Sequence, residues 1–169
     1  DGSVETASHP GANAVNLLVA VGDSGPMPPV GINLPNEEAI RERHGNKSVS
    51  LVNVIDSGER AAHSSKVAEF FLPEDRRLQE TFGGDINLMH TAMHEVLGHA
   101  SGKVSDALQG DPRDHLREHY SALEEARAEL IALHHVFDPK LVEIGAIRSA
   151  EVAEAAYRDY ATDDLYMLR

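Results

Sequence analysis

The chain contains no cysteine, which excludes a disulfide framework and a thiolate metal site. Any tight transition-metal site must therefore draw on histidine and carboxylate. No run approaches the roughly 18 consecutive apolar residues that a membrane-spanning helix needs, so no membrane partner is expected. Basic residues are in short supply: 15 Lys and Arg stand against 28 Asp and Glu, a net charge of −13. That balance argues against a nucleic-acid partner, because phosphate binding needs a basic surface. It suits solubility and a cationic or amine-bearing ligand, although a solvated acidic surface is the plainer reading. The first residues, Asp1-Gly2-Ser3-Val4-Glu5, have neither the basic start nor the apolar core of a signal peptide, and no initiator methionine opens the chain. The expectation is a cytoplasmic location and a segment of a longer polypeptide.

What is present fits one globular unit. A chain of 169 residues with 41% hydrophobic content can bury about two thirds of the surface it would expose unfolded. The pattern predicts a mainly helical α+β fold with a small β element near the N-terminus. Residues 1–36 read as a β/turn segment, and residues 37–169 as a compact helical domain. The run Val15 to Val21 predicts a short strand, followed by a turn at 22–26. Residues 30–36 alternate well enough for an edge strand, which tolerates Pro35. Asn36 can cap a helix that begins at Glu37-Glu38 and stops at Gly45. Residues 48–55 suit either a strand or the lead into a helix. A helix is expected over 57–72, closed by Pro73, with Gly83-Gly84 breaking the chain before a further helix over 86–100. After a polar loop at 105–113, one long helix should run to Phe137. Shorter helices should start at Asp138-Pro139 and cover 149–162.

The chemistry concentrates in His94-Glu95-Val96-Leu97-Gly98-His99 and in Glu124-Glu125-Ala126-Arg127-Ala128-Glu129, which begins 25 residues after His99. Two imidazoles and a carboxylate on neighbouring helices are what a catalytic zinc needs, with a fourth position open for water. Glu95, next to the first histidine, is placed to act as the base that activates that water. Residues four apart on a regular helix are offset by about 40°, whereas residues five apart are offset by about 140°. His94 and His99 therefore cannot reach one ion from a regular helix. Gly98 sits where a π-type widening or kink restores convergence, so the sequence predicts a distorted helix between Glu95 and His99.

Glu125 is the expected third ligand, with Glu129 one turn on along the same face. Glu124 and Glu129 are candidates to accept the second ring N–H of each ligating histidine. For His90, one turn before His94, core packing or a solvent position is expected. Arg127 is expected to pair with a neighbouring glutamate rather than with a substrate.

Both motifs resemble those of the dipeptidyl peptidase III metallopeptidases, His-Glu-x-x-Gly-His and Glu-Glu-x-Arg-Ala-Glu. Gly31 to Asn36, Lys47 to Leu51, Gly98 to Lys103 and Tyr120 to Leu123 look like segments of the same family. The resemblance implies one Zn2+ per chain, held by His94, His99 and Glu125, with Glu95 as catalytic acid/base and Glu124 and Glu129 supporting the ligands. It implies that Asn33 and Asn36 hold an oligopeptide substrate near its free N-terminus, against ordinary turn and cap chemistry as the alternative. Residues 28–32 would then pair with substrate backbone as an added strand. The expected reaction is release of N-terminal dipeptides. Family enzymes are several times longer and have two lobes, so a second lobe is the expected partner. The rival expectation is a catalytically silent zinc-binding lobe with a structural or interaction role.

Overall fold

The computed structural model describes residues 11–22, 28–102 and 104–168. Three strands form one small sheet: β1 (Gly11–Val15), β2 (Gly31–Leu34) and β3 (Lys47–Leu51), in the order β1-β3-β2. β1 runs parallel to β3, with Gly11 opposite Lys47, and β2 runs antiparallel to it, with Gly31 opposite Ser50. The sheet thus joins residues on both sides of the division read at residue 36.

The N-terminal strand lies earlier than the apolar run suggested. β1 ends at Val15, and Leu18, Val19 and Val21 are 91%, 71% and 74% exposed. Pairing with β3 fixes the register of β1. Beyond it, the Asn53 carboxamide accepts from the Leu17 N–H and donates to the Leu17 carbonyl, standing in for a strand neighbour. The turn read at 22–26 falls, apart from Gly22, outside the described residues, as does Lys103.

α1 (Glu38–His44) follows β2 and stops at Gly45, whose φ of +73° favours glycine. Its N-cap is Glu37 rather than Asn36, with no side-chain capping bond. The ambiguous stretch at 48–55 is both things in turn: β3 ends at Leu51 and α2 (Val52–Phe70) begins at once.

α3 (Pro73–Ala92) opens with Pro73 in its first turn. It passes straight through Gly83-Gly84, where the sequence had suggested a break. Packing overrides the glycine propensity, because Phe82, Ile86, Met89 and Met93 form one buried stripe against α7 (Glu151–Met167). Val152, Ala153, Ala155 and Ala156 supply a face of small side chains on α7 that lets the two helices approach closely. Burying a side chain such as Ile86 contributes about 1.5–3 kcal/mol.

The expected long helix is interrupted. α4 (Pro112–Leu116) gives way to a 3₁₀ turn (Arg117–His119) before α5 (Tyr120–His135). The break is at Arg117, whose φ of +50° no α-helix accommodates. A single-turn helix, α6 (Lys140–Glu143), precedes α7, which starts at Glu151 and extends past residue 162. No described helix is long and apolar enough to cross a membrane.

Candidate metal centre

The first motif folds as a π-helical segment, Met93–His99, continuous with α3. This is the distortion that a five-residue histidine spacing demands, since i→i+5 winding brings His94 and His99 onto one face. Two features hold the widened turn. The Glu95 carbonyl accepts from Asn33 Nδ2 at 2.9 Å and from Ser48 Oγ at 3.1 Å, so β2 and β3 carry it. At the other end, Arg41 of α1 donates to the His99 carbonyl at 3.1 Å.

α5 crosses the π segment at Gly98. Close packing there brings the second motif over the first: His94 Nε2 and His99 Nε2 lie 3.0 Å apart, and Glu125 Oε2 lies 3.3 Å and 3.6 Å from them. A tetrahedral zinc with bonds of about 2.0–2.1 Å spaces its ligand atoms about 3.3–3.4 Å apart. The triangle fits that requirement, and these three residues form the one cluster of metal-ligating geometry among the described residues.

The opposite ring nitrogens are held by carboxylates. His94 Nδ1–H donates to Glu129 Oε2 at 3.2 Å, and His99 Nδ1–H donates to Glu124 Oε1 at 3.2 Å. Both imidazoles are thereby fixed in the tautomer that leaves Nε2 free to ligate. Glu124 is itself gripped by Arg127, which donates to both its oxygens and, through Nη1, to the Ser101 carbonyl. The expected pairing of Arg127 with a glutamate is therefore seen.

These partners set the protonation of the site. Burial raises the Glu124 carboxyl, but the hydrogen bonds from His99 and Arg127 outweigh it and hold the pKa at about 2. Glu129 is likewise brought to about 2 by His90 and His94 against the effect of burial. Burial lowers His94, yet its bond to Glu129 and the nearby Glu95 and Glu125 charges leave it raised. Glu95 is raised, chiefly by burial, with His99 and His94 opposing and Glu125 assisting.

Glu95 is buried beneath β2. A Cβ at Gly31 would lie 2.6 Å from Glu95 Oε1, so a side chain at position 31 would displace the carboxylate from where it lies. A cleft of about 450 Å³ opens beside it, lined in part by Asn33, Asn36, Glu95, His99, Tyr120 and Glu125. Asn33 lines this cleft while its amide bonds Ser48 Oγ and the Glu95 carbonyl, and the Asn36 carbonyl accepts from Arg113.

The sequence reading missed three participants. His90 Nε2 lies 2.7 Å from Glu129 Oε2, although its four-residue spacing from His94 was a usable signal. Ser48 and Arg41 reach the site from other elements, and no local pattern announces that.

Similar segments occur in known proteins. Dipeptidyl peptidase 3 of Mus musculus is 28% identical over 156 residues, covering 76% of this chain and 21% of that protein. Its counterpart in Dictyostelium discoideum is 29% identical over 159 residues, covering 76% and 22%. The solved dipeptidyl-peptidase III of Corallococcus sp. strain EGB superposes with a TM-score of 0.71 at 28% identity, over 90% of this chain and 28% of that one. The chain thus spans between a fifth and a third of the length of these relatives. The family model of peptidase family M49 matches residues 8–120, about two thirds of the sequence, and on that match the chain belongs to peptidase family M49.

Proposed function

We propose that this chain is the metal-bearing part of a zinc peptidase that releases dipeptides from the N-terminus of oligopeptides. The observation that carries the reading is the triangle of His94 Nε2, His99 Nε2 and Glu125 Oε2, with edges of 3.0, 3.3 and 3.6 Å. A carboxylate braces each imidazole from behind, which is how ligating histidines are oriented. The relatives' names supply the dipeptidyl specificity.

When bound, zinc would polarise the scissile carbonyl and acidify a water molecule. Glu95 takes the proton from that water and delivers it to the leaving amine. Burial supports this role by raising its pKa towards the working range of a general base. β2 is an edge strand directly above Glu95, so an extended peptide can add to its open side and present its backbone to the carboxylate. Asn33 and Asn36 are the groups along that side to meet the peptide's N-terminal end.

Elemental analysis of the purified chain tests the metal: one zinc per chain is expected, lost in His94→Ala and in Glu125→Ala. Hydrolysis of a dipeptidyl chromogenic substrate, abolished in Glu95→Gln with zinc retained, tests the chemistry. A second reading follows from the chain spanning 21% of the mouse relative: a lobe that binds zinc and is silent on its own. Zinc binding without hydrolysis, with activity restored in the longer protein, would favour it.

A further inference from the structure

We propose that His90 is a positioning residue of the metal centre, which it ties to α7 through Glu129 and Tyr160. The inference rests on the metal reading above and assigns a role to a residue outside both motifs. Glu129 Oε2 accepts two hydrogen bonds on the same oxygen, from His90 Nε2–H at 2.7 Å and from His94 Nδ1–H at 3.2 Å. The shorter bond belongs to His90, so His90 fixes where that oxygen lies, and the oxygen in turn fixes the rotation of the His94 ring. Without His90, Glu129 is a flexible, partly exposed side chain with one long contact to His94. The His90 ring has its own support: it stacks on Tyr160 with centroids 5.7 Å apart and planes 16° from parallel. α7 packs along α3, the helix that carries His90, and lies entirely beyond residues 8–120 matched by the family model. The order is therefore Tyr160, His90, Glu129, His94, running from the C-terminal helix to a ligand atom.

Supporting groups of this kind typically alter metal affinity 10–100-fold when removed. The test measures zinc affinity by competition with a chromogenic chelator, together with thermal melting of the metal-free chain. His90→Phe keeps a ring against Tyr160 and removes the donor. It should lower affinity about 10-fold or more while leaving the metal-free melting temperature near that of the parent. His90→Gln restores an N–H donor and should return affinity to within a few-fold of the parent. Parent-like affinity in His90→Phe would overturn the inference and leave the metal site standing. Should His90→Phe fail to fold, a folded His90→Gln with affinity lowered as far as in Glu129→Ala would overturn it. A parent chain that binds no zinc would overturn the metal reading, and this inference with it.

Discussion

Gly98 and Ala128 touch so closely that a Cβ on the glycine would sit 2.8 Å from the Cα, Cβ and carbonyl oxygen of the alanine. This contact sets how near the second motif comes to the first, and hence the spacing of His94, His99 and Glu125. Backbone atoms are involved, so a larger residue cannot be absorbed by a rotamer change. Gly98→Ala should destabilise the chain by about 1–3 kcal/mol and reduce zinc affinity more than any change in the exposed part of α5. Thermal melting and a zinc titration on one preparation would check both effects; undiminished affinity would mean that α5 does not set the spacing.

Gly31 and Glu95 offer the complementary experiment. The added methyl of Gly31→Ala would strike the end of a side chain that binds no metal, while the Glu95 carbonyl stays held by Asn33 and Ser48. Zinc content should be unchanged, and hydrolysis of a dipeptidyl substrate should fall about 10²-fold or more. Normal turnover would mean that the Glu95 side chain shifts aside without losing its function, and Glu95→Gln would then be the deciding variant.

Glu124 links His99 to Arg127, and Arg127 to the Ser101 carbonyl. Glu124→Ala removes the acceptor behind His99 and leaves a half-exposed guanidinium without its carboxylate. Zinc affinity should fall about 10–100-fold, although none of the three ligating atoms is touched. Isothermal titration with zinc against a competing chelator reads the change.

Lys66 of α2 contacts Asp159 at 2.8 Å and Asp163 at 2.7 Å on α7. Burial lowers the Lys66 pKa, but the two carboxylates outweigh it and leave it above 10.5. The folded state holds the proton more tightly than the unfolded chain does. This contribution is therefore intact below about pH 10.5 and lost as pH rises through the higher folded value. Lys66→Met removes the ammonium that bridges Asp159 and Asp163 and should cost roughly 1–3 kcal/mol near neutrality. Urea midpoints of parent and variant should draw together as pH rises beyond 10.5; a constant gap would assign the effect to packing.

The distorted helix between the two histidines and the proximity of the two motifs were the most legible features of the sequence. Metal chemistry constrains residue types and spacing together, so the His94–His99 spacing demanded a widened helix and the π segment supplies one. The helical character and the position of the small sheet were also readable from periodicity. What was not readable depended on partners distant in sequence. The register of β1 is set by β3, over 30 residues away, so the more apolar run at 17–21 lost to Gly11–Val15. Gly83-Gly84 stays helical because Phe82 and Ile86 are buried on either side. The break at Arg117 has no glycine or proline to mark it. Ser48, Arg41 and His90 joined the site through tertiary contacts that a linear pattern does not encode.

Leu18, Val19 and Val21 are exposed to solvent just beyond an edge strand whose own residues are all exposed, an arrangement that invites strand pairing between molecules. A net charge of −13 opposes that encounter by mutual repulsion, over a range of about 10 Å at 0.1 M salt and about 3 Å at 1 M. Self-association should therefore increase with ionic strength: dilute buffer keeps the chains apart, and concentrated salt lets Leu18 and Val19 of one find the same edge on another.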